Sequence, residues 1–138
     1  MKRTYSNLNH DWWHDPAVRD LSPAAKAMFV WSFTNSPCAS LTGFTQASHR
    51  KLATALWPDA QPSFDALRAV LDELAEKPLV LYDDVSEVLW CPKRSAHALR
   101  SAKQLRAAIA CVAQLPPCAF VTAWAEKYAL GEWAPPPL

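Results

Sequence analysis

The chain has 138 residues, 51% of them apolar, which fits one domain that buries about two-thirds of its unfolded surface. With 14 basic against 13 acidic residues the net charge is +1, so no global field draws the molecule onto DNA or a membrane. Two Gly against twelve Pro exclude Gly-rich phosphate loops and a meander of tight β-hairpins.

The start, Met1-Lys2-Arg3, is basic but has no apolar run behind it, so no signal peptide is expected. No stretch approaches the roughly 18 apolar residues of a membrane span. Tyr5 to Asn9 reads as a short edge strand, and Trp12 and Trp13 read as a lid on the core. Ser22-Pro23 is an N-cap followed by Pro at the first helical position, opening an apolar central helix over 23–34 that Asn35-Ser36-Pro37 stops. Ser40 to Thr45, around Gly43, predicts a short strand, after which Thr45 caps a second helix to Leu56.

A third helix is expected over 62–77, with Phe64, Leu67, Val70, Leu71 and Leu74 on one face. Leu79 to Tyr82 and Val88 to Cys91 read as strands around the polar turn Asp83 to Glu87. A fourth helix over 95–114 carries Ala98, Ala102, Leu105, Ile109 and Val112 inward. A fifth over 118–130 buries Phe120, Val121, Trp124 and Tyr128. Cys38, Cys91, Cys111 and Cys118 form no Cys-x-x-Cys pair, and are expected to be reduced, mostly buried thiols of a cytoplasmic protein. The expected architecture is a single α+β, mostly helical domain over 1–130, with a Pro-rich tail over 131–138.

Three helices followed by a two-stranded hairpin is the winged helix-turn-helix order, here with two additional C-terminal helices. Trp13-His14-Asp15, Leu21-Ser22-Pro23-Ala24-Ala25-Lys26, Leu41-Thr42-Gly43-Phe44, and Leu71 and Leu74 running into Leu79-Val80-Leu81-Tyr82-Asp83 and Val88-Leu89-Trp90 carry a further likeness. Over residues 4–130 the chain resembles the winged-helix domain that begins phage and prophage replication-organiser proteins. The resemblance implies DNA binding in replication or in the regulation of transcription. Lys77-Pro78 stands where that family usually turns on Gly, and helicase loading is not implied.

No Gly-x-Ser-x-Gly, His-Glu-x-x-His or phosphate loop is present, so no enzymatic activity is expected. His10 and His14 are four apart, a zinc-compatible spacing on a helix. Pro16 and the lack of further nearby ligands argue against it, and no metal or cofactor is expected. The charge is divided along the chain. From Asp59 to Glu87 eight acidic residues face only Arg68 and Lys77, whereas from Val88 to Ala125 there are five basic residues and no acid. At about 100° per residue, Asp65, Asp72 and Glu76 lie opposite the apolar face of the third helix. This opposes the phosphate attraction a groove-reading helix needs. Double-stranded DNA is therefore expected on Lys93, Arg94, Arg100 and Lys103, with Arg50 and Lys51 on a flank and Arg68 as a groove donor. The competing expectation is a host or phage replication or transcription protein docking on Asp65, Asp72 and Glu76.

Overall fold

A computed structural model describes residues 10–60 and 63–138; the edge strand expected over 5–9 lies outside them. Serine sets most of the helix starts. Asp15 Oδ1 accepts from Ala17 N at 2.9 Å to begin α1 (Pro16–Arg19). Ser22 and Ser36 do the same for α2 (Pro23–Thr34) and α3 (Pro37–Thr42). In all three, Pro takes the first helical position, where its missing N–H forfeits no helical bond. Ser48, Ser63 and Ser101 cap α4 (His49–Leu56), α5 (Phe64–Glu76) and α7 (Ala102–Val112), each accepting a backbone N–H at 3.2 Å. The helices α6 (Arg94–Ala98) and α8 (Ala119–Tyr128) begin without a side-chain cap.

Several boundaries differ from expectation for local reasons. Ser36-Pro37 does not only end α2; it also opens α3, which occupies part of the strand expected from Ser40. Gly43 then ends α3 at φ +78°, and a Cβ there would sit 2.3 Å from the Cys91 carbonyl oxygen, so both conformation and space demand glycine. Thr45 is a strand residue rather than a cap, because its hydroxyl accepts from Asn35 Nδ2 at 2.8 Å. The fourth predicted helix is two helices. Leu99 is extended and Ser101 starts a new helix, while the Gln104 side chain accepts the Arg100 N–H at 2.5 Å. Ser101-x-x-Gln104 is the sequence form of a capping box, and its serine reads as a start. Three helices therefore follow the hairpin instead of two.

The strands β1 (Phe44–Gln46), β2 (Leu81–Asp83) and β3 (Val88–Trp90) form an antiparallel sheet ordered β1-β3-β2. Phe44 and Leu81 both pair with Trp90. Alternation along β3 sends Leu89 to one side and Val88 and Trp90 to the other. On the first side Leu89 joins Met28 and Phe33 of α2, Leu52 of α4, and Leu67 and Leu74 of α5. The other side receives Ala108 and Val112 of α7 and Val121 and Trp124 of α8. Both faces of the central strand are thus covered, and all three of its residues are buried.

Polar links tie the layers together. Glu73 of α5 accepts from the Ser22 backbone N–H and hydroxyl, both at 2.7 Å, pinning the start of α2. Cys38 of α3 and Cys111 of α7 are joined in a disulfide, which corrects the expectation of four reduced thiols. The packing of α3 on α7 brings the two Cα atoms to 5.7 Å across 73 residues of sequence, a proximity that no local spacing reveals. Cys91 and Cys118 are buried and free; burial pushes the Cys91 thiol up to about 11, leaving it unreactive. Trp12 packs on Phe29 and Phe33, whereas its neighbour Trp13 is exposed, so only one of the two covers the core. Trp133, at the start of the Pro-rich tail, is partly buried against the second cluster. Among the described residues no helix is long and apolar enough to cross a membrane.

Candidate nucleic-acid interface

The basic residues fall into two groups. The first lies at the start of α4, where Ser48 turns the chain and His49, Arg50 and Lys51 fill the first turn, with Arg50 and Lys51 exposed. Arg68, one turn into α5, belongs to the same neighbourhood through Asp84 of the β2–β3 turn. One Asp84 oxygen, Oδ1, accepts from the Arg68 guanidinium and lies 3.0 Å from His49 Nε2. The Arg68 hydrogen bond holds the Asp84 carboxyl below the usual carboxylate range, although it stays half-exposed. The Arg68 charge is accordingly opposed where it was expected to be a groove donor.

Behind this cluster Tyr82 donates its hydroxyl to the Ala47 carbonyl at 2.7 Å, and the His49 ring meets it edge-on. Burial, reinforced by the nearby Glu87 and Asp84 carboxylates, pushes the Tyr82 hydroxyl up to about 12. Phe64, 59% exposed at the start of α5, closes the other flank of His49.

The second group surrounds the start of α7. Arg100 and Lys103 flank the Ser101 cap, Arg106 follows one turn later, and all three are exposed. Among the described residues no ion pair joins any of them to a carboxylate. Lys93 is exposed at the entrance to α6, three residues after β3 ends on the way to this group. Arg94 is not part of any surface: it is 5% exposed, its Nε donates to the Ser40 carbonyl at 2.5 Å, and its guanidinium lies 4.9 Å from the centre of the Phe33 ring. The expectation that Arg94 contacts DNA, from its place in the basic segment beside the helix expected over 95–114, is corrected by this burial. As the first residue of α6, which packs on α3, Arg94 bonds Ser40 there.

Asp65, Asp72 and Glu76 are exposed on the outer face of α5, as its periodicity predicts. Glu73, on the same helix, is half-buried against Ser22. His10 lies 3.3 Å from the Asp11 carboxylate in a 3-10 turn (His10–His14), and among the described residues no three His, Cys, Asp or Glu side chains gather to hold a metal ion. The signal for Asp84 was weak: in sequence it is one of five acids spread over 72–84, and only the fold reveals which cations it faces.

Helix starts matter chemically here. Their free backbone N–H groups carry a partial positive charge, so a cation in the first turn costs stability while an anion gains there. Lys103 at the start of α7, and Arg50 and Lys51 at the start of α4, add cations where an anion is already favoured. Such a site suits phosphate. Comparison with family models, curated proteins and solved structures gives no match for this chain, so its own geometry carries the reading.

Proposed function

We propose that the protein is a DNA-binding module of winged-helix type, acting in the replication or transcriptional regulation of a phage or mobile element. The observation that carries the reading is the group of exposed cations, Arg100, Lys103 and Arg106, at the start of α7, with no carboxylate paired to them among the described residues. Supporting it are the order α2, β1, α4, α5, β2, β3, with the short α3 inserted between α2 and β1, and the strand order β1-β3-β2, with the β2–β3 hairpin in the place of a wing. The phosphate contacts then come from α7 and the first turn of α4, not from the acidic outer face of α5. Double-stranded DNA is the ligand, and no catalytic step, metal or cofactor is part of this function.

Asp65, Asp72 and Glu76 favour a second reading, in which that face docks on a basic surface of a replication or transcription protein. A mobility-shift series with random duplex DNA across 50–200 mM salt separates the two. Retardation that weakens linearly on a log–log plot is expected for phosphate binding. Absence of retardation at the lowest salt removes the DNA reading and leaves protein docking.

A further inference from the structure

The cluster at the β2–β3 turn has the parts of an oxyanion site with a carboxylate already in it. Asp84 Oδ1 takes Arg68 and His49 on one oxygen, the bonding a phosphate oxygen would take from the same two side chains. Both donors are held in place: the His49 ring stands edge-on between Tyr82, at 5.2 Å, and Phe64, at 6.0 Å, and Arg68 rises from the second turn of α5. A groove of about 380 Å³, lined by His49, Phe64, Asp65 and Arg68, opens beside them to solvent.

Asp84 is not what shapes its own turn. The neighbouring Asp83 accepts from Val85 N at 3.1 Å and from the Ser86 hydroxyl at 2.7 Å, and Glu87 makes the left-handed step at φ 57°. With its side chain 52% exposed, Asp84 is also in water, where exchanging one anion for another does not require burying a new charge.

We propose that His49 and Arg68 form a phosphate notch that the Asp84 carboxylate keeps occupied, so that the hairpin turn is a built-in competitor of the ligand. The proposal rests on the DNA reading for the source of the phosphate, since Arg50 and Lys51 on the same helix start would hold the adjoining backbone. A free phosphate ion offers the same chemistry, and Asp65, on the groove wall, disfavours either one equally.

The test compares wild type, Asp84→Ala and Asp84→Ala/Arg68→Ala by binding to a random duplex across a salt series, with thermal melts confirming that each is folded. Asp84→Ala is expected to tighten binding several-fold at low salt. Its log–log salt slope should steepen by about 0.9, the increment for one added phosphate contact. The added Arg68→Ala change should return the slope to the wild-type value. Asp84→Asn, which keeps the volume and loses the charge, should move the slope in the same direction and serves if the alanine variant is unfolded.

Wild-type binding with an unchanged slope in both Asp84 variants overturns the notch and leaves the DNA reading standing. If no variant binds duplex DNA, inorganic phosphate is titrated at constant ionic strength while the His49 and Arg68 side-chain resonances of Asp84→Ala are followed. Saturable shifts that vanish in the double variant support a notch for free phosphate without the DNA reading, and unsaturable or absent shifts overturn it.

Discussion

Helices α5 and α7 are of similar length, begin on serine caps, and are charged in opposite senses. The first turn of α5 carries Asp65, which the helix macrodipole rewards, and its exposed face continues acidic through Asp72 and Glu76. The first turn of α7 carries Lys103, with Arg100 just before it and Arg106 just after, against the macrodipole. Folding explains Asp65 of α5, although Glu76, in the last turn, runs against the macrodipole as the cations of α7 do. What sets α7 apart is that its cations gather at a helix start where an anion is favoured, and that is the physical reason to place a ligand there. The difference also shows why α7 tolerates such charges: its stability comes from Ala108 and Val112 buried against the sheet and from the disulfide to α3.

This comparison can be sharpened by removing what supports each helix. Cys38→Ser opens a bridge spanning 73 residues, and loop-closure entropy for a loop of that size corresponds to about 4 kcal/mol. Chemical denaturation should show that loss. Reducing agent should lower the melting temperature of wild type but leave the variant unmoved.

On the other side, Glu73→Ala removes two hydrogen bonds to Ser22, and is expected to cost about 1–2 kcal/mol in the same assay. A loss of that size would show that one acid of α5 belongs to the fold while its exposed neighbours do not. Asp72→Asn should then change stability by less than about 0.5 kcal/mol.

The most pointed substitution reverses a single charge. Lys103→Glu puts an acid in the first turn of α7 and is expected to stabilise the protein by about 0.3–1 kcal/mol, while weakening DNA binding. Stability and affinity moving in opposite directions marks a residue kept for its ligand. Both falling together would mean that Lys103 serves the fold.

Elements with strong local signals were legible in the sequence. The apolar spacing of Leu67, Val70, Leu71 and Leu74 gives α5, and Ser22-Pro23 gives the start of α2. The hairpin followed from two apolar runs around Asp83 to Glu87, and the exposure of Asp65, Asp72 and Glu76 followed from helical period alone. What stayed hidden depends on distant pairing or on competition between two local signals. Cys38 meets Cys111, and Asp84 meets Arg68, only after the layers assemble. Arg94 stands at the edge of the helical pattern expected over 95–114, and only its contacts with Ser40 of α3 and the Phe33 ring, made once the layers assemble, show that it is buried. For the candidate surface this means Arg50, Lys51, Lys93, Arg100 and Lys103 are exposed as read, Arg68 is opposed by Asp84, and Arg94 is withdrawn into the core.

The central claim is that phosphate is held by the unopposed cations of α7 and not by the opposed Arg68. The salt dependence of binding to a random duplex, measured side by side for Arg100→Ala/Lys103→Ala and for Arg68→Ala, tests it most directly. Each lost phosphate contact reduces the magnitude of the log–log slope by about 0.9, so the double variant should lose up to about 1.8 while Arg68→Ala leaves the slope unchanged. A double variant with the wild-type slope, or a slope that falls only for Arg68→Ala, would contradict the account.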